Sequence, residues 1–195
     1  MHYENVTIKD IAKALNFSTS TVSRALRGSY EISDETKKTI LEYAEKINYR
    51  PNPIALSLKD RKSKSIAVVV CEIANSFFSE AINGIESIAY NRGYHVIITQ
   101  THESAEREKV NVQHHASRSV DGILISLSSG TIDLNFLKDL NEKGLPIVFF
   151  DRITDEIETH KVTANNYKGA FQGTEHLIKQ GFKRIAHITS APYLS

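Results

Sequence analysis

Apolar positions between residues 7 and 48 recur at helical spacing. Ile8, Ile11, Ala12 and Leu15 make one stripe, with Thr7 as N-cap and Asp10 three residues on, a weaker stand-in for the Glu or Gln of a capping box. The stripe stops at Leu15-Asn16-Phe17, where Asn tolerates the left-handed backbone of a sharp turn. A second helix is predicted from about Ser18 to Leu26, with Val22, Ala25 and Leu26 facing inward and Thr19, Ser20, Ser23 and Arg24 outside. Gly28-Ser29 ends it, and Ser33 caps a third helix whose Ile40, Leu41, Ala44 and Ile47 close a small core. Two short helices joined by a tight turn, followed by a supporting helix, form a helix-turn-helix arrangement.

From Ser65 the pattern changes to alternating strands and helices. Strands are predicted at 66–73, 95–101, 122–127, 146–150, a short one at 162–164, and 184–189; helices at 79–92, 105–118, 134–143 and 167–181. Strands apolar on both faces, alternating with helices, mean a parallel α/β sheet covered on both sides. Arg92-Gly93 and Lys143-Gly144 read as glycine C-caps after a basic residue.

Between the two patterns lies Arg50-Pro51-Asn52-Pro53-Ile54-Ala55-Leu56-Ser57-Leu58-Lys59. Asn52 followed by Pro53 is an N-cap followed by proline at the first helical position. The helix it starts can run only a few residues before the polar stretch from Asp60 to Ser65, and so short a helix is marginal alone. On pattern, a linker with an incidental helical turn is the competing reading.

Charge divides at the same place. The 195 residues carry a net charge of +1, but residues 1–64 hold 12 Lys and Arg against 8 Asp and Glu, leaving the remainder acidic. A basic head on an acidic body suits a polyanion-binding head, although so modest an excess also arises by chance. The single Cys71 excludes an internal disulfide framework and a Cys-rich zinc module. The chain has no apolar run long enough to span a bilayer and no secretory h-region at its start, so the expectation is a cytoplasmic protein.

The polar face of the second helix gives the head its chemistry. Small hydroxyl side chains let a helix enter the major groove and bond base edges or phosphates, and Arg can take guanine bidentately. A generic three-helix bundle with a solvated face meets the same pattern. The residues Thr7-Ile8-Lys9-Asp10-Ile11-Ala12, Ser18, Thr21-Val22-Ser23-Arg24 and Asn48-Tyr49-Arg50-Pro51-Asn52 closely resemble the headpiece of the LacI/GalR family of bacterial transcription regulators. The resemblance runs to about residue 60, departing at the turn, where Leu15-Asn16-Phe17 replaces the usual Ala-Gly-Val. It implies major-groove reading by Thr19, Ser20 and Arg24, with Arg24 the leading candidate for direct readout, and backbone contacts by Thr7, Thr21 and Ser23. It also implies that 53–59 is a hinge helix. Paired across a homodimer, Asn52, Ile54, Ala55 and Leu58 would then enter the operator's minor groove, with Leu58 as the wedge that kinks the duplex.

For the body, a parallel sheet admits many functions, so the site must decide. No Gly-x-Gly-x-x-Gly, phosphate loop or Gly-x-Ser-x-Gly elbow is present, which argues against an enzyme. His114 and His115 are adjacent on a helix, point apart and read as solvated or packing residues, and Cys71 reads as an inert core thiol. No metal or cofactor is expected. Strand ends remain: Asn75-Ser76-Phe77-Phe78, Ser126-Leu127-Ser128-Ser129 and Phe150-Asp151-Arg152 carry aromatics, hydroxyls and a carboxylate suited to a small polar ligand. Loop chemistry and capping explain the same residues. The resemblance continues through Ser119-Val120-Asp121-Gly122-Ile123 and Asn165-Asn166-Tyr167-Lys168-Gly169-Ala170, with Phe182 in place of the usual His. It implies a periplasmic-binding-protein-like core of two lobes that clamp an effector of the sugar or nucleobase class, with Phe77, Phe78, Ser126 and Asp151 as first-lobe contacts.

The expected organisation is a helix-turn-helix headpiece at 1–50, hinge and linker at 51–64, first lobe at 65–163 and an incomplete second lobe at 164–195. The expected function is an effector-controlled, sequence-specific DNA-binding regulator, a repressor, acting as a homodimer on double-stranded operator DNA. The alternative is a truncated, effector-insensitive DNA-binding fragment.

Overall fold

The computed structural model describes residues 6–51 and 62–188, and the chain divides into two compact units, 1–63 and 64–195. The first unit holds α1 (Ile8–Leu15), α2 (Thr19–Ala25) and α3 (Asp34–Lys46). Ile11, Ala12, Val22, Ala25, Ile40 and Ala44 are its buried core, ringed by Ile8, Leu15, Phe17, Leu26, Ile32, Tyr43, Ile47 and Tyr49. Leu41, expected inside, is half exposed. Ile40, Ala44 and Ile47 follow one helical stripe, and the residue next to Ile40 is rotated about 100° away from it.

Local chemistry sets the joints of this unit. The Thr7 amide and hydroxyl both donate to Asp10 Oδ2 at 2.8 Å, so Asp10 does serve the capping position. That backbone bond, with the hydroxyl bond behind it, holds the Asp10 carboxyl below its usual range. Asn16 sits at φ 56°, ψ 36°, in the left-handed region, and Phe17 N–H returns to the Ala12 carbonyl at 3.0 Å. Asn48 at φ 51° ends α3 the same way, with Tyr49 N–H on the Ala44 carbonyl at 2.8 Å.

The second unit contains β1 (Ser65–Val70), α4 (Ser76–Asn91), β2 (His95–Gln100), α5 (Ala105–Ser117), β3 (Gly122–Ile125), α6 (Asn135–Glu142), β4 (Ile147–Phe150), β5 (His160–Val162) and α7 (Asn166–Lys179). The five strands are parallel, in the order β2-β1-β3-β4-β5. Alternate residues of β1 feed opposite cores. Ala67 and Val69 pack with Val112 of α5, Phe136 and Leu137 of α6, and Ile123, Ile125, Ile147 and Phe149. Val68 and Val70 pack with Phe78 and Ile82 of α4 and with Phe150. Each fully buried aliphatic side chain contributes about 1.5–3 kcal/mol relative to exposure. The layered parallel architecture is thus the expected one.

Two elements differ from the sequence reading. β2 is an edge strand, and its Ile97 and Ile98 are part-exposed rather than buried on both faces. No strand forms at 184–188, where Ile185 and Ile188 face solvent. A parallel strand gains its hydrogen bonds only from a neighbour, and none lies beside this segment among the described residues. Likewise, no residue of α7 is buried.

The left-handed Asn16 yields a prediction. Asn16→Ala should destabilise the headpiece by about 1 kcal/mol, whereas Asn16→Gly should not: alanine keeps the Cβ that the left-handed backbone disfavours and loses the short polar side chain that lets Asn tolerate it, while glycine removes the Cβ. Hydrogen-exchange protection of the Ile11 and Ile40 amides measures it.

Candidate functional site

In the headpiece, α2 buries Val22 and Ala25 and turns Thr19, Ser20 and Arg24 outward, with Thr21 and Ser23 part-buried at the margins. The helix starts where Ser18 Oγ accepts the Thr21 amide at 3.1 Å. The same Ser18 oxygen lies 2.8 Å from both Ser20 Oγ and Thr21 Oγ1, so the hydroxyls at the start of α2 form one local network. A hydroxyl keeps spare donor and acceptor capacity in such a network. Thr7 lies at the start of α1, its hydroxyl on Asp10. At the other end, Arg27 Nε donates to the Ser23 carbonyl at 3.0 Å, and Arg24 Nη1 pairs with Glu31 at 3.1 Å. Asn52, Ile54, Ala55 and Leu58 lie outside the described residues.

In the second unit the strand registers align all the carboxyl ends along one edge of the sheet. The chain leaves β1 toward β2 on one side and later crosses to β3 on the other, so the crevice between the ends of β1 and β3 is the topological switch point. Ligands of open parallel sheets bind at such a crevice. The segments entering it are those after β1, with Phe77 and Phe78, and after β3, with Ser126. Asn75 caps α4 by accepting the Phe77 amide at 2.9 Å, which leaves the Phe77 ring half exposed. Phe78 is buried, edge-to-face with Phe77 at 5.3 Å and with Phe150 at 6.3 Å. Ser126 is fully buried, and its hydroxyl has no hydrogen-bond partner among the described residues. Asp151 is exposed, left-handed at φ 60°, and tied by its amide to the Val162 carbonyl at 3.0 Å.

Behind these residues lies a polar network that the sequence reading did not find. Glu108 on α5 is fully buried; it accepts the Ser128 amide at 2.6 Å and the Thr131 hydroxyl at 2.7 Å. Burial pushes the Glu108 carboxyl up, against the two hydrogen bonds. Glu103 is also pushed up by burial, but the Ser129 amide at 2.8 Å and Arg152 Nη1 at 2.7 Å outweigh that and leave it lowered. The Thr101 and Ser128 hydroxyls share a bond at 2.7 Å. Together these contacts fasten the loop after β3 to the ends of β2 and β4. Arg152 Nη1 also reaches Cys71 Sγ at 3.4 Å. Burial pushes that thiol up to about 12, so it stays a protonated core group, as expected. His115 is buried against Thr99 Oγ1 at 3.1 Å and its neighbour His114 is exposed, one packing and one solvated.

The missed residues had faint signals. Arg152 adjoins Asp151 in sequence, but Glu103 and Glu108 sit in a loop and on an amphipathic helix where acidic residues ordinarily face water.

Known proteins share these features. Residues 7–52 match the family of bacterial regulatory proteins, lacI family, and residues 66–192 match a periplasmic binding protein domain. The HTH-type transcriptional repressor PurR of Aliivibrio fischeri is 34% identical over 183 residues, 94% of this chain and 54% of that protein. Catabolite control protein A of Priestia megaterium is 31% identical over 185 residues, 95% of this chain and 55% of that protein. The chain spans about half the length of the curated relatives it matches. Among solved structures, the lac repressor dimer bound to operator and the anti-inducer ONPF aligns with a TM-score of 0.77 at 24% identity, over 94% of this chain and 55% of that one, a likeness of fold.

The buried carboxylate yields a prediction. Glu108→Ala should cost about 1–3 kcal/mol by stranding the Ser128 amide and the Thr131 hydroxyl, whereas Glu108→Gln can still accept the amide and donate to the hydroxyl. Because the folded pKa is raised, the stability Glu108 contributes is full below its unfolded value of 4.5 and is lost as pH rises through the folded value. Melting temperatures across pH should therefore show the Gln variant gaining on wild type as pH rises from about 4.

Proposed function

The chain belongs to the lacI family of bacterial regulatory proteins, with a periplasmic binding protein domain as its larger part, and from that premise we propose that it is a sequence-specific DNA-binding transcriptional repressor rather than an enzyme. The observation that carries the reading is the face of α2: Thr19, Ser20 and Arg24 outside, Val22 and Ala25 locked into the core. Short hydroxyl side chains admit the helix to a major groove, Arg24 reads a base edge, and Thr7, Thr21 and Ser23 contact the phosphate backbone. The likeness to the HTH-type transcriptional repressor PurR, 34% identical over 94% of this chain, supports the same assignment.

The chain works in four parts: a headpiece at 1–50, a hinge at 51–64, a first lobe at 65–163 and the beginning of a second lobe from 164. In the hinge, Asn52, Ile54, Ala55 and Leu58 enter the minor groove, and Leu58 unstacks a base step there. The protein is a cytoplasmic homodimer. Ile88 and Tyr90 on α4 are solvent-facing, Ile98 on β2 is part-exposed on the face of the sheet that α4 covers, and an apolar groove on that face is lined by Ile66, Ala81, Ile85, Ile88 and Leu124, which supports α4 and β2 as the dimer surface.

An effector of the sugar or nucleobase class binds at the switch point. Phe77 offers its half-exposed ring, Asp151 a carboxylate and Ser126 a buried hydroxyl that has no hydrogen-bond partner among the described residues, while Phe78 supports the Phe77 ring from the core. By preferring one arrangement of the lobes, the effector changes the spacing of the paired hinges and hence operator affinity.

Selection of bound sequences from random duplex DNA tests the reading. A pseudo-palindromic site with salt-dependent affinity is expected, and absence of any selected site would end it. Arg24→Ala should weaken binding to that site by about 1–3 kcal/mol and relax preference at one base pair; uniform weakening on all sequences would make Arg24 a phosphate contact. Leu58→Ala should reduce operator bending and weaken specific more than nonspecific binding, as read by gel mobility of circularly permuted fragments.

A further inference from the structure

Arg24 is already engaged in the folded headpiece. Its Nη1 lies 3.1 Å from Oε2 of Glu31, and the two side chains are 52% and 48% exposed. Glu31 reaches this place through the backbone. Gly28 adopts φ +70°, Ser29 N–H returns to the Arg24 carbonyl at 3.0 Å, and Ser29 Oγ accepts the Glu31 amide at 3.4 Å. The next residue, Ile32, packs against the core and fixes the end of the turn. An ion pair this exposed adds little stability, so its consequence lies in where it points the guanidinium.

We propose that Glu31 is a specificity-determining residue of this headpiece. This rests on the reading of α2 as the base-reading helix. The guanidinium is a rigid planar fork of five N–H donors. One donor from Nη1 satisfies Glu31, and the others stay free to meet the O6 and N7 acceptors of a guanine, so the carboxylate holds the fork in a reading orientation before contact. The same carboxylate works against wrong complexes. If Arg24 swung away to a phosphate, Glu31 would be left unpaired beside a polyanion, and like charges repel. Glu31 therefore lowers affinity for DNA in general and enlarges the difference between the right base pair and the others.

The test uses the whole chain, the site it selects, and that site with the Arg24 base pair changed from G·C to A·T. Titrations at one fixed salt concentration compare wild type, Glu31→Gln, Glu31→Asp and Arg24→Ala, alone and combined with Glu31→Gln. Glu31→Gln should bind random DNA more tightly and discriminate the two sites about fivefold less than wild type, within the range that one Arg–guanine pair provides. Glu31→Asp, which keeps the charge and withdraws the contact, should lose discrimination without gaining random-DNA affinity. In the Arg24→Ala background, Glu31→Gln should leave discrimination unchanged. Melting temperatures should match throughout, which separates these effects from loss of fold. If wild type selects a site and Glu31→Gln discriminates as well as wild type, the inference is overturned while the DNA-binding reading stands; if wild type selects no site, both fall.

Discussion

β1 has no polar face to give away, and the second unit is arranged around that constraint. Val68, Val69 and Val70 are wholly buried, with Ala67, so apolar matter must lie on both sides of the strand. One side receives α4; the other receives α5 and α6. Strand neighbours must then satisfy both backbone edges of β1, and β2 and β3 do so in parallel register. Parallel neighbours on either side of the first strand force the chain to reverse its direction of winding after β2. That reversal opens the crevice at which the segments carrying Phe77 and Ser126 emerge. The candidate effector site is in this sense a geometric consequence of burying one strand twice.

The headpiece solves a smaller version of the same problem. Seven residues of α2 must supply a core side and a polar side, and Val22 and Ala25 suffice for the first because α1 and α3 bring Ile11 and Ile40 to meet them. A larger inward side chain would push the helix outward; a larger outward one at Thr19 or Ser20 would change what it can approach. The angle between α1 and α2 rests on Asn16, whose left-handed backbone lets Phe17 join the core one residue later.

Features set by local chemistry were legible in the sequence. Thr7 and Asp10 as a cap, Asn16 as the turn, and glycine ends at Gly93 (φ 71°) and Gly144 (φ 90°) all follow from what a few adjacent residues can do. So did the order of strands and helices, because the period of apolar residues switches at Ser65. Features set by long-range pairing were not. Nothing in the run His95–Gln100 says that it will be an edge, since an edge strand and a central one share their composition. A carboxylate at position 108 reads as solvent-facing until the loop carrying Ser128 and Thr131 is seen to close over it. The apolar run near Ile185 and Ile188 has the letters of a strand but no neighbour to bond among the described residues.

Arg24 shows why one residue type can be assigned from sequence while its behaviour cannot. Its placement on the outer face of α2 follows from spacing alone. What it does there depends on Glu31, seven positions on, and spacing on a single helix cannot connect the two, because a left-handed glycine and a turn intervene. An unpaired arginine at the tip of a positive face is attracted by any phosphate, and the attraction carries no sequence information. A carboxylate fixed at its side removes part of that attraction and leaves directional donors in one plane. A basic head with a modest excess of charge, and an acidic residue placed where it touches the arginine proposed to read bases, therefore suit discrimination among sequences better than tight binding to all of them.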